Sequence, residues 1–326
     1  MADDTEAPLG TRYEVSGGAM LLHRSGTGGP PVVFLAGGGM FGLYYRTVHD
    51  LVAEFTTSVF YDRLGTGWSD PVELPRSGTQ VTDDLRELLR AAEVPGPYVL
   101  VGHSLGGLYA RLYAKRFPGE AAGLVLLDPT HEDIVGYLPE EKARLLRNSS
   151  TEDVFPPEQL DAMRTAYRAT FGRALAGWPA EIREPLLDQG FSRERYRQSL
   201  REPMNLPRLF DEVRAAGPDP DVPLIFVSAM GIDRFAEELL PPEARASPAE
   251  SNEAKHRLYT DLAAALPRAE VRRLDDAGHS GLAWLRPDAV VRASGTCRRA
   301  DPGPASLGSE TGALSISRRR YDPPSG

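Results

Sequence analysis

Cysteine is almost absent from this chain, since Cys297 is the single one among 326 residues. A lone cysteine excludes an internal disulfide and fits a reducing compartment. Basic residues are also in the minority: 37 Lys and Arg stand against 46 Asp and Glu, which gives a net charge of −9. Because such a chain repels phosphates, we expect no nucleic-acid partner.

Long apolar runs are lacking as well, and none approaches the length that spans a bilayer. Residues 1–6 read MADDTE, which is acidic and polar, unlike the basic start and apolar core of a secretory signal. We therefore expect a cytoplasmic protein without a membrane partner. With 41% hydrophobic and 25% charged residues, the composition is that of a globular protein, long enough for one large domain with an insertion. It predicts no particular oligomeric state.

Short buried-strand patterns alternate with amphipathic helices along most of the chain. This alternation predicts an α/β fold with a doubly wound, mostly parallel sheet. The pattern stops between residues 130 and 217, where strands disappear and several short helices rich in Arg, Glu and Pro are predicted. We interpret residues 130–217 as a helical cap inserted into a core made of residues 12–129 and 218–293. Residues 1–11 are expected to be flexible.

The sequence changes character again at about Ser294. Residues 294–326 are rich in Gly, Ser, Pro and Arg and show no apolar period, so a disordered tail is predicted. Cys297 is then expected to be a free surface thiol. A last helix that ends at Ala293 would bury less apolar area than a full-length helix. Each Å² of apolar area that is not buried costs about 25 cal/mol of stability, which predicts a marginally stable protein.

The most informative segment is residues 98–107, which read YVLVGHSLGG. Tyr98–Val101 is apolar enough for a central strand, and Leu105–Phe117 has helical spacing before Pro118 ends it. Ser104 then stands on a sharp strand-to-helix turn, with glycines where side chains would collide with neighbouring backbone. Because such a turn lifts the hydroxyl above the sheet, Ser104 is a candidate nucleophile.

A serine hydroxyl needs a base, normally a histidine that a carboxylate holds in the right tautomer. Among six histidines, His279 follows a predicted strand and a glycine, so its ring can point out of the sheet edge at which Ser104 opens. We predict that His279 is the general base. His103 is expected either to pack beside the turn or to contact substrate. His131, at the start of the cap, is expected to contact substrate or to bind cap backbone.

Two aspartates are candidates for the carboxylate that orients the histidine. Asp128 ends the strand that follows the elbow helix, and Asp233 follows the first strand after the cap. Either loop can reach the histidine in a doubly wound sheet, and either aspartate could instead cap a helix or turn. The pattern therefore leaves Asp128 and Asp233 as alternatives.

A glycine triplet, Gly37–Gly39, follows the predicted strand Pro31–Ala36. Acyl transfer requires two preorganised backbone N–H donors for the oxyanion. Leu105, at the start of the elbow helix, is predicted to supply one donor, and Gly38 or its neighbour Gly39 the other. The triplet lacks the Lys-Ser/Thr of a phosphate-binding loop, so we expect no nucleotide. Nucleophilic catalysis by a serine also needs neither a metal nor an organic cofactor, so we expect none.

With these residues in place, residues 13–293 resemble the α/β-hydrolase superfamily. The resemblance rests on FLAGGG at Phe34–Gly39, on YDRLGTGWSD at Tyr61–Asp70, and on the elbow and Gly278-His279 at suitable distances. The order of serine, acid and histidine along the chain also agrees.

Two departures accompany this resemblance: Ala36 replaces the usual histidine of the oxyanion loop, and Leu64 replaces a glycine in the second motif.

This resemblance implies a serine hydrolase that cleaves a small carboxylic ester through an acyl-enzyme intermediate. A serine at the elbow differs from the aspartate that haloalkane dehalogenases and epoxide hydrolases use there. Two rival functions remain open. A proline-specific aminopeptidase would need a cap acid such as Glu184 or Glu194 facing the substrate amine, and a non-catalytic receptor for a small ligand could use the same fold.

Overall fold

The computed structural model describes residues 6–140, 143–144, 157–191, 193–239 and 248–299. Its strands are β1 (Thr11–Val15), β2 (Gly18–Ser25), β3 (Val32–Leu35), β4 (Ser58–Tyr61), β5 (Tyr98–His103), β6 (Ala121–Leu127), β7 (Leu224–Ala229) and β8 (Ala269–Leu274). They form one 8-stranded sheet in the order β1-β2-β4-β3-β5-β6-β7-β8.

Helices of the core and of the segment between β6 and β7 surround this sheet. They are α1 (Arg46–Ala53), α2 (Gly78–Ala91), α3 (Leu105–Arg116), α4 (Pro157–Ala174), α5 (Ala180–Gln189), α6 (Arg193–Arg201), α7 (Leu206–Ala215), α8 (Arg234–Leu239), α9 (Pro248–Ala265), α10 (Leu282–Leu285) and α11 (Pro287–Arg299). Within the described ranges, none of these helices combines the length and the apolarity needed to cross a membrane.

The middle of the sheet is apolar on both faces. Strands β3, β5 and β6 bury nearly every side chain, as expected where helices cover both sides of parallel strands. The pairs from β4 to β8 are parallel, whereas the β1–β2 hairpin joins β4 in antiparallel register. The predicted doubly wound, mostly parallel sheet is confirmed.

Parallel strands bring their carboxyl ends to one edge of the sheet. The loops after β3, β5, β6, β7 and β8 all open there. This edge therefore collects the glycine triplet, Ser104, Asp128, Asp233 and His279 from distant parts of the chain.

The described residues between β6 and β7 form helices and contain no strand. We refer to residues 130–217 as the cap segment. Its helix α4 packs on the core through aromatic rings: Phe171 lies 5.4 Å from Tyr44 and 5.3 Å from Trp284 between ring centroids. The hydroxyls of Tyr167 and Tyr44 are 2.6 Å apart. An aromatic cluster thus joins the cap segment to the core.

The last helix is longer than the sequence predicted. Helix α11 continues through Gly295 to Arg299, and Ser294 and Cys297 are buried on its inner face. The tail predicted to begin at residue 294 is therefore wrong for residues 294–299, and the argument for marginal stability built on a helix ending at Ala293 is wrong with it. Residues 300–326 lie outside the described residues.

Cys297 is not the surface thiol that was expected. Its Sγ lies 3.6 Å from the carbonyl oxygen of Leu124, inside the core. Burial raises the pKa of the Cys297 thiol to about 12. Because the thiolate is the reactive form, this cysteine serves as a small core residue.

At the other end, residues 1–5 of the predicted flexible segment lie outside the described residues. Ala7 and Leu9 are partly buried against the core, and β1 begins at Thr11. The segment predicted to be flexible therefore includes two side chains that pack on the core and the first residue of β1.

Candidate active site

Ser104 lies on a strained turn between β5 and α3. Its φ is +52° and its ψ is −120°, a combination that few non-glycine residues adopt. Thr130 N–H donates to the Ser104 carbonyl, and Ser104 N–H donates to the Leu127 carbonyl, which fixes the turn against the end of β6. A Cβ at Gly106 would lie 2.2 Å from the carbonyl oxygen of Leu35, so only glycine allows this close approach.

Ser104, His279 and Asp128 form one row of hydrogen bonds. His279 Nε2 lies 3.1 Å from Ser104 Oγ, and His279 Nδ1 lies 2.6 Å from Asp128 Oδ2. A carboxylate that takes the N–H of one ring nitrogen leaves the other nitrogen free to accept a proton from a hydroxyl. The arrangement can therefore activate a serine as a nucleophile.

Asp128 is buried, and its own backbone has a left-handed φ of +42°. Its Oδ2 accepts a hydrogen bond from Lys255 of α9 in addition to the one from His279. Burial by itself raises the pKa of Asp128, but the neighbouring Lys255 ammonium and the bond from His279 outweigh it, so the pKa lies well below its usual range. Asp128 is therefore an ionised acceptor for the imidazole.

Asp233, the alternative acid, lies beside this row and bonds to other groups. Its Oδ2 accepts from the Ser280 N–H at 2.9 Å and from the Ser280 hydroxyl at 2.8 Å, while Oδ1 accepts from Ala236 N–H in the first turn of α8. The structure thus brings Asp128 to the imidazole, and the alternative with Asp233 as the partner of His279 is wrong. Asp233 instead holds the chain directly after His279.

His103 is buried beneath the histidine loop. Its Nε2 lies 3.0 Å from the carbonyl oxygen of His279, and the two rings are 4.8 Å apart between centroids. Burial lowers the pKa of His103 to about 3, so its ring is neutral and donates from Nε2 to that carbonyl. Of the two predicted roles, packing beside the turn fits this position and substrate contact does not.

His131 is also buried, and it belongs to a group that resembles a metal site. The ligand atoms of His131, Glu132 and Asp133 lie within 4.8 Å of one another. However, Glu132 pairs with Arg111 at 2.5 Å, and Asp133 pairs with Arg214 at 3.2 Å. These guanidinium groups supply the positive charge that a metal would bring.

The ring of His131 bonds to the cap segment. Its Nδ1 accepts from Asp133 N–H at 3.1 Å, which is the predicted bond to cap backbone rather than the predicted substrate contact. Its Nε2 has no hydrogen-bond partner within the described ranges.

The amide of Gly38, in the middle of the glycine triplet, is a candidate oxyanion donor. Gly38 N–H donates to none of the described residues. Leu105 N–H, at the first position of α3, has no acceptor inside its helix. Gly39 N–H, the alternative donor to the oxyanion, already donates to Glu202 Oε2 at 2.8 Å. The prediction that Gly39 N–H binds the oxyanion is therefore wrong.

Sequence analysis missed the groups that hold this loop. Arg63 Nη1 donates to the Ala36 carbonyl at 2.6 Å, and Nη2 donates to the Gly37 carbonyl at 2.8 Å. Arg63 Nε donates to Glu202 Oε1 at 2.7 Å, and each side chain of this ion pair is 5% exposed. Arg63 was visible as part of the second motif, whereas nothing local marked Glu202 or Lys255.

Comparison with known proteins shows the family of the chain. A model described as "Alpha/beta hydrolase family" matches residues 32–293. Uncharacterized protein YqjL of Bacillus subtilis is 36% identical over 135 residues, which are 40% of this chain and 52% of that protein. A cis-3-alkyl-4-alkyloxetan-2-one decarboxylase of Shewanella oneidensis is 32% identical over 131 residues, 38% of this chain and 40% of that protein. The chain thus spans about half or less of these curated relatives.

Among solved structures, the haloalkane dehalogenase DbeA from Bradyrhizobium elkani is similar in fold. The TM-score is 0.63 with 20% sequence identity, and the match covers 88% of this chain and 96% of that chain.

Proposed function

The chain belongs to the alpha/beta hydrolase family, and we propose that it is a serine hydrolase that cleaves a carboxylic ester through an acyl-enzyme intermediate. The observation that carries this proposal is the row of hydrogen bonds from Ser104 through His279 to Asp128. The dehalogenase neighbour supports the fold alone. A serine in place of an aspartate at the elbow favours acyl transfer.

In the first half-reaction, Ser104 Oγ attacks the ester carbonyl carbon while its proton moves to His279 Nε2. Asp128 is ionised and accepts the Nδ1 hydrogen, which leaves Nε2 as the acceptor and stabilises the imidazolium that forms. When the tetrahedral intermediate collapses, the C–O bond to the alcohol breaks, and the proton on Nε2 passes to the departing oxygen.

Negative charge on the carbonyl oxygen requires donors that are in place before reaction. Gly38 N–H and Leu105 N–H, which have no acceptor among the described residues, are the proposed donors. An ideal Cβ on Gly38 would lie 3.8 Å from Leu105 Cβ, so the two residues are neighbours. Together they form the oxyanion hole of the proposed enzyme.

In the second half-reaction, water replaces the alcohol. His279 Nε2 takes a proton from the water, whose oxygen attacks the acyl carbon, and the collapse that follows returns the proton to Ser104 Oγ. The products are one carboxylic acid and one alcohol, and the enzyme returns to its starting state without a cofactor.

An apolar ester fits the surroundings best. Tyr44 follows the glycine loop and Trp284 follows His279, and both belong with Phe171 and Phe235 to the buried aromatic cluster where the cap segment meets the core. Aromatic and aliphatic surfaces of this kind bind apolar groups by excluding water.

The aminopeptidase alternative requires a carboxylate that is free to bind an amine. Glu184 is paired with Arg168 and Arg183 and is 43% exposed. The side chain of Glu194 lies outside the described residues. Glu202 is buried, but both of its oxygens are already bonded. Of these three carboxylates, the two with described side chains are both engaged in ion pairs, which supports the ester over the amine substrate.

Intact mass after exposure to a fluorophosphonate tests the proposal without knowledge of the substrate. We expect one adduct on the wild type, none on Ser104→Ala, and an adduct on the control Ser280→Ala, which removes a neighbouring hydroxyl. Hydrolysis of p-nitrophenyl esters should fall at least about 10³-fold in Ser104→Ala. A folded wild type without an adduct would contradict the proposal and favour the non-catalytic receptor.

A further inference from the structure

We propose that Glu202, contributed by the cap segment, is a positioning residue for the oxyanion loop, residues 36–40. Through it, the rate of acyl transfer depends on how the cap segment is seated on the core. This inference rests on the serine-hydrolase function proposed above and adds to it a residue from outside the core.

The first step of the argument is the set of bonds around the loop. Arg63 binds two successive carbonyls, those of Ala36 and Gly37, with two nitrogens of one planar guanidinium group. Glu202 binds the third nitrogen of Arg63 with Oε1 and the Gly39 amide with Oε2. The loop is therefore held from both sides by one ion pair.

The second step concerns the Gly38 amide, which this ion pair does not bind. It occupies polar groups of Ala36, Gly37 and Gly39, and the amide of Gly38 between them stays without an acceptor among the described residues. The backbone on both sides of the Gly38 peptide is fixed. Its N–H direction is thus set before any substrate arrives, as stabilisation of an oxyanion requires.

The third step is the contact between the cap segment and the loop. Gly39 has φ +70°, and an ideal Cβ there would lie 2.2 Å from the Cβ of Ser199. Helix α6, which carries Ser199, ends one residue before Glu202. The cap segment therefore lies directly on the loop and also supplies its carboxylate.

The buried charges explain why simple truncation is a poor test. Removal of Glu202 alone leaves the Arg63 guanidinium buried without its counter-ion, which destabilises the fold whatever the role of the loop. A useful control must break an equally buried Arg–Glu pair elsewhere. Arg111 and Glu132 form such a pair, with side chains 2% and 5% exposed, although Arg111 also pairs with Asp219 at 3.0 Å.

The test compares Glu202→Gln with Glu132→Gln. A glutamine cannot accept from both Arg63 and Gly39, because one end of its amide is a donor. We expect kcat for an ester to fall about 10- to 100-fold in Glu202→Gln with KM within about 3-fold, because the interaction is used in the transition state. Inhibition by a trifluoromethyl ketone, which forms a tetrahedral oxyanion on the serine, should weaken by a similar factor.

In the control Glu132→Gln, Asp219 still pairs with Arg111, so we expect a smaller drop in melting temperature and a kcat within about 3-fold of wild type. Equal losses of kcat in the two variants would overturn the proposal, because they would show a general effect of a broken buried ion pair. A Glu202→Gln enzyme with wild-type kcat would overturn it as well.

Hydrogen exchange of the Gly39 amide, followed by NMR, gives a readout that does not depend on activity. Exchange should accelerate in Glu202→Gln and stay unchanged in Glu132→Gln. If the wild type carried no reactive Ser104, the proposed function would fail. Unchanged Gly39 exchange in Glu202→Gln would overturn the positioning role of Glu202 even in a working enzyme.

Discussion

The two sides of the candidate active site are held by different parts of the chain. On the base side, Ser104, His279 and Asp128 follow core strands, and Lys255 reaches Asp128 from a core helix. On the oxyanion side, the glycine loop lies between Arg63 of the core and a carboxylate of the cap segment. In the proposed hydrolase, the groups that would move the proton are thus built by the core, whereas those that would stabilise charge on the substrate also depend on the cap segment.

Both sides place a cation against a buried carboxylate, but with different chemistry. Lys255 is a compact charge that shares one oxygen of Asp128 with the imidazole. Arg63 is a planar fork that serves two carbonyls and a carboxylate at once. Lys255 therefore acts on the charge of Asp128, and Arg63 fixes the conformation of the glycine loop.

The largest effect should come from Asp128, the carboxylate that binds His279. Asp128→Asn would lose the ionised acceptor that sets the tautomer of His279, so kcat should fall about 10³- to 10⁴-fold. Asp233→Asn keeps an acceptor oxygen for Ser280 and should lower kcat less than about 10-fold. Steady-state kinetics of the two isosteric variants decides between the acids, and a larger loss in Asp233→Asn would contradict the assignment.

Acid should destabilise the protein through its buried neutral histidines, one of which, His103, lies beneath the base side. Burial lowers the pKa of His103 to about 3 and that of His131 to about 4, whereas these rings take up a proton near pH 6.5 in the unfolded chain. Their folded pKa values are depressed, so the stability that depends on their neutral form is present above pH 6.5 and is lost as the pH falls towards 4. Each of these two histidines should lower the free energy of unfolding by about 2 kcal/mol between pH 6.5 and pH 5.

The check is the melting temperature at pH 7 and pH 5, together with hydrogen exchange at both ends of the site. Exchange at the β5–α3 turn should accelerate more at pH 5 than exchange in the loop of residues 36–40. A His131→Gln variant should show a weaker pH dependence than wild type. Identical melting temperatures at the two pH values would contradict the prediction.

The smallest effect should come from Lys255. Its ammonium donates to the Asp128 oxygen that also accepts from His279, so Lys255→Met should lower kcat/KM by about 5-fold. Lys255→Arg keeps the cation and serves as the control. The same loss in both variants would show that Lys255 does not act through its charge.

Local patterns were enough to predict the sheet and two members of the hydrogen-bonded row. Ser104 lies inside a strand, turn and helix whose signals are contiguous, and His279 follows a strand and a glycine. The choice of acid could not be made in this way, because it depends on which loop approaches the ring in three dimensions. Asp128 and Asp233 both follow strands, and only their hydrogen bonds distinguish them.

The groups missed by sequence analysis act across long separations. Glu202 is 139 positions away in sequence from Arg63 and 163 from Gly39, and Lys255 is 127 positions away from Asp128. The periodicity of apolar residues within a segment does not indicate which distant side chains pair. The helical end at residues 294–299 was missed for a related reason: Ser and Gly are poor helix formers, and burial of Cys297 against β6 outweighs that local preference.

The position of Glu202 sets a condition for engineering by segment exchange. Recombination that replaced everything between β6 and β7 with the insertion of a relative would change more than the part that selects substrate. Such a chimera would keep Arg63 under the glycine loop but would lose its counter-ion unless the donor segment offered a carboxylate at the same place. In this scaffold, new specificity and retained turnover must be designed together.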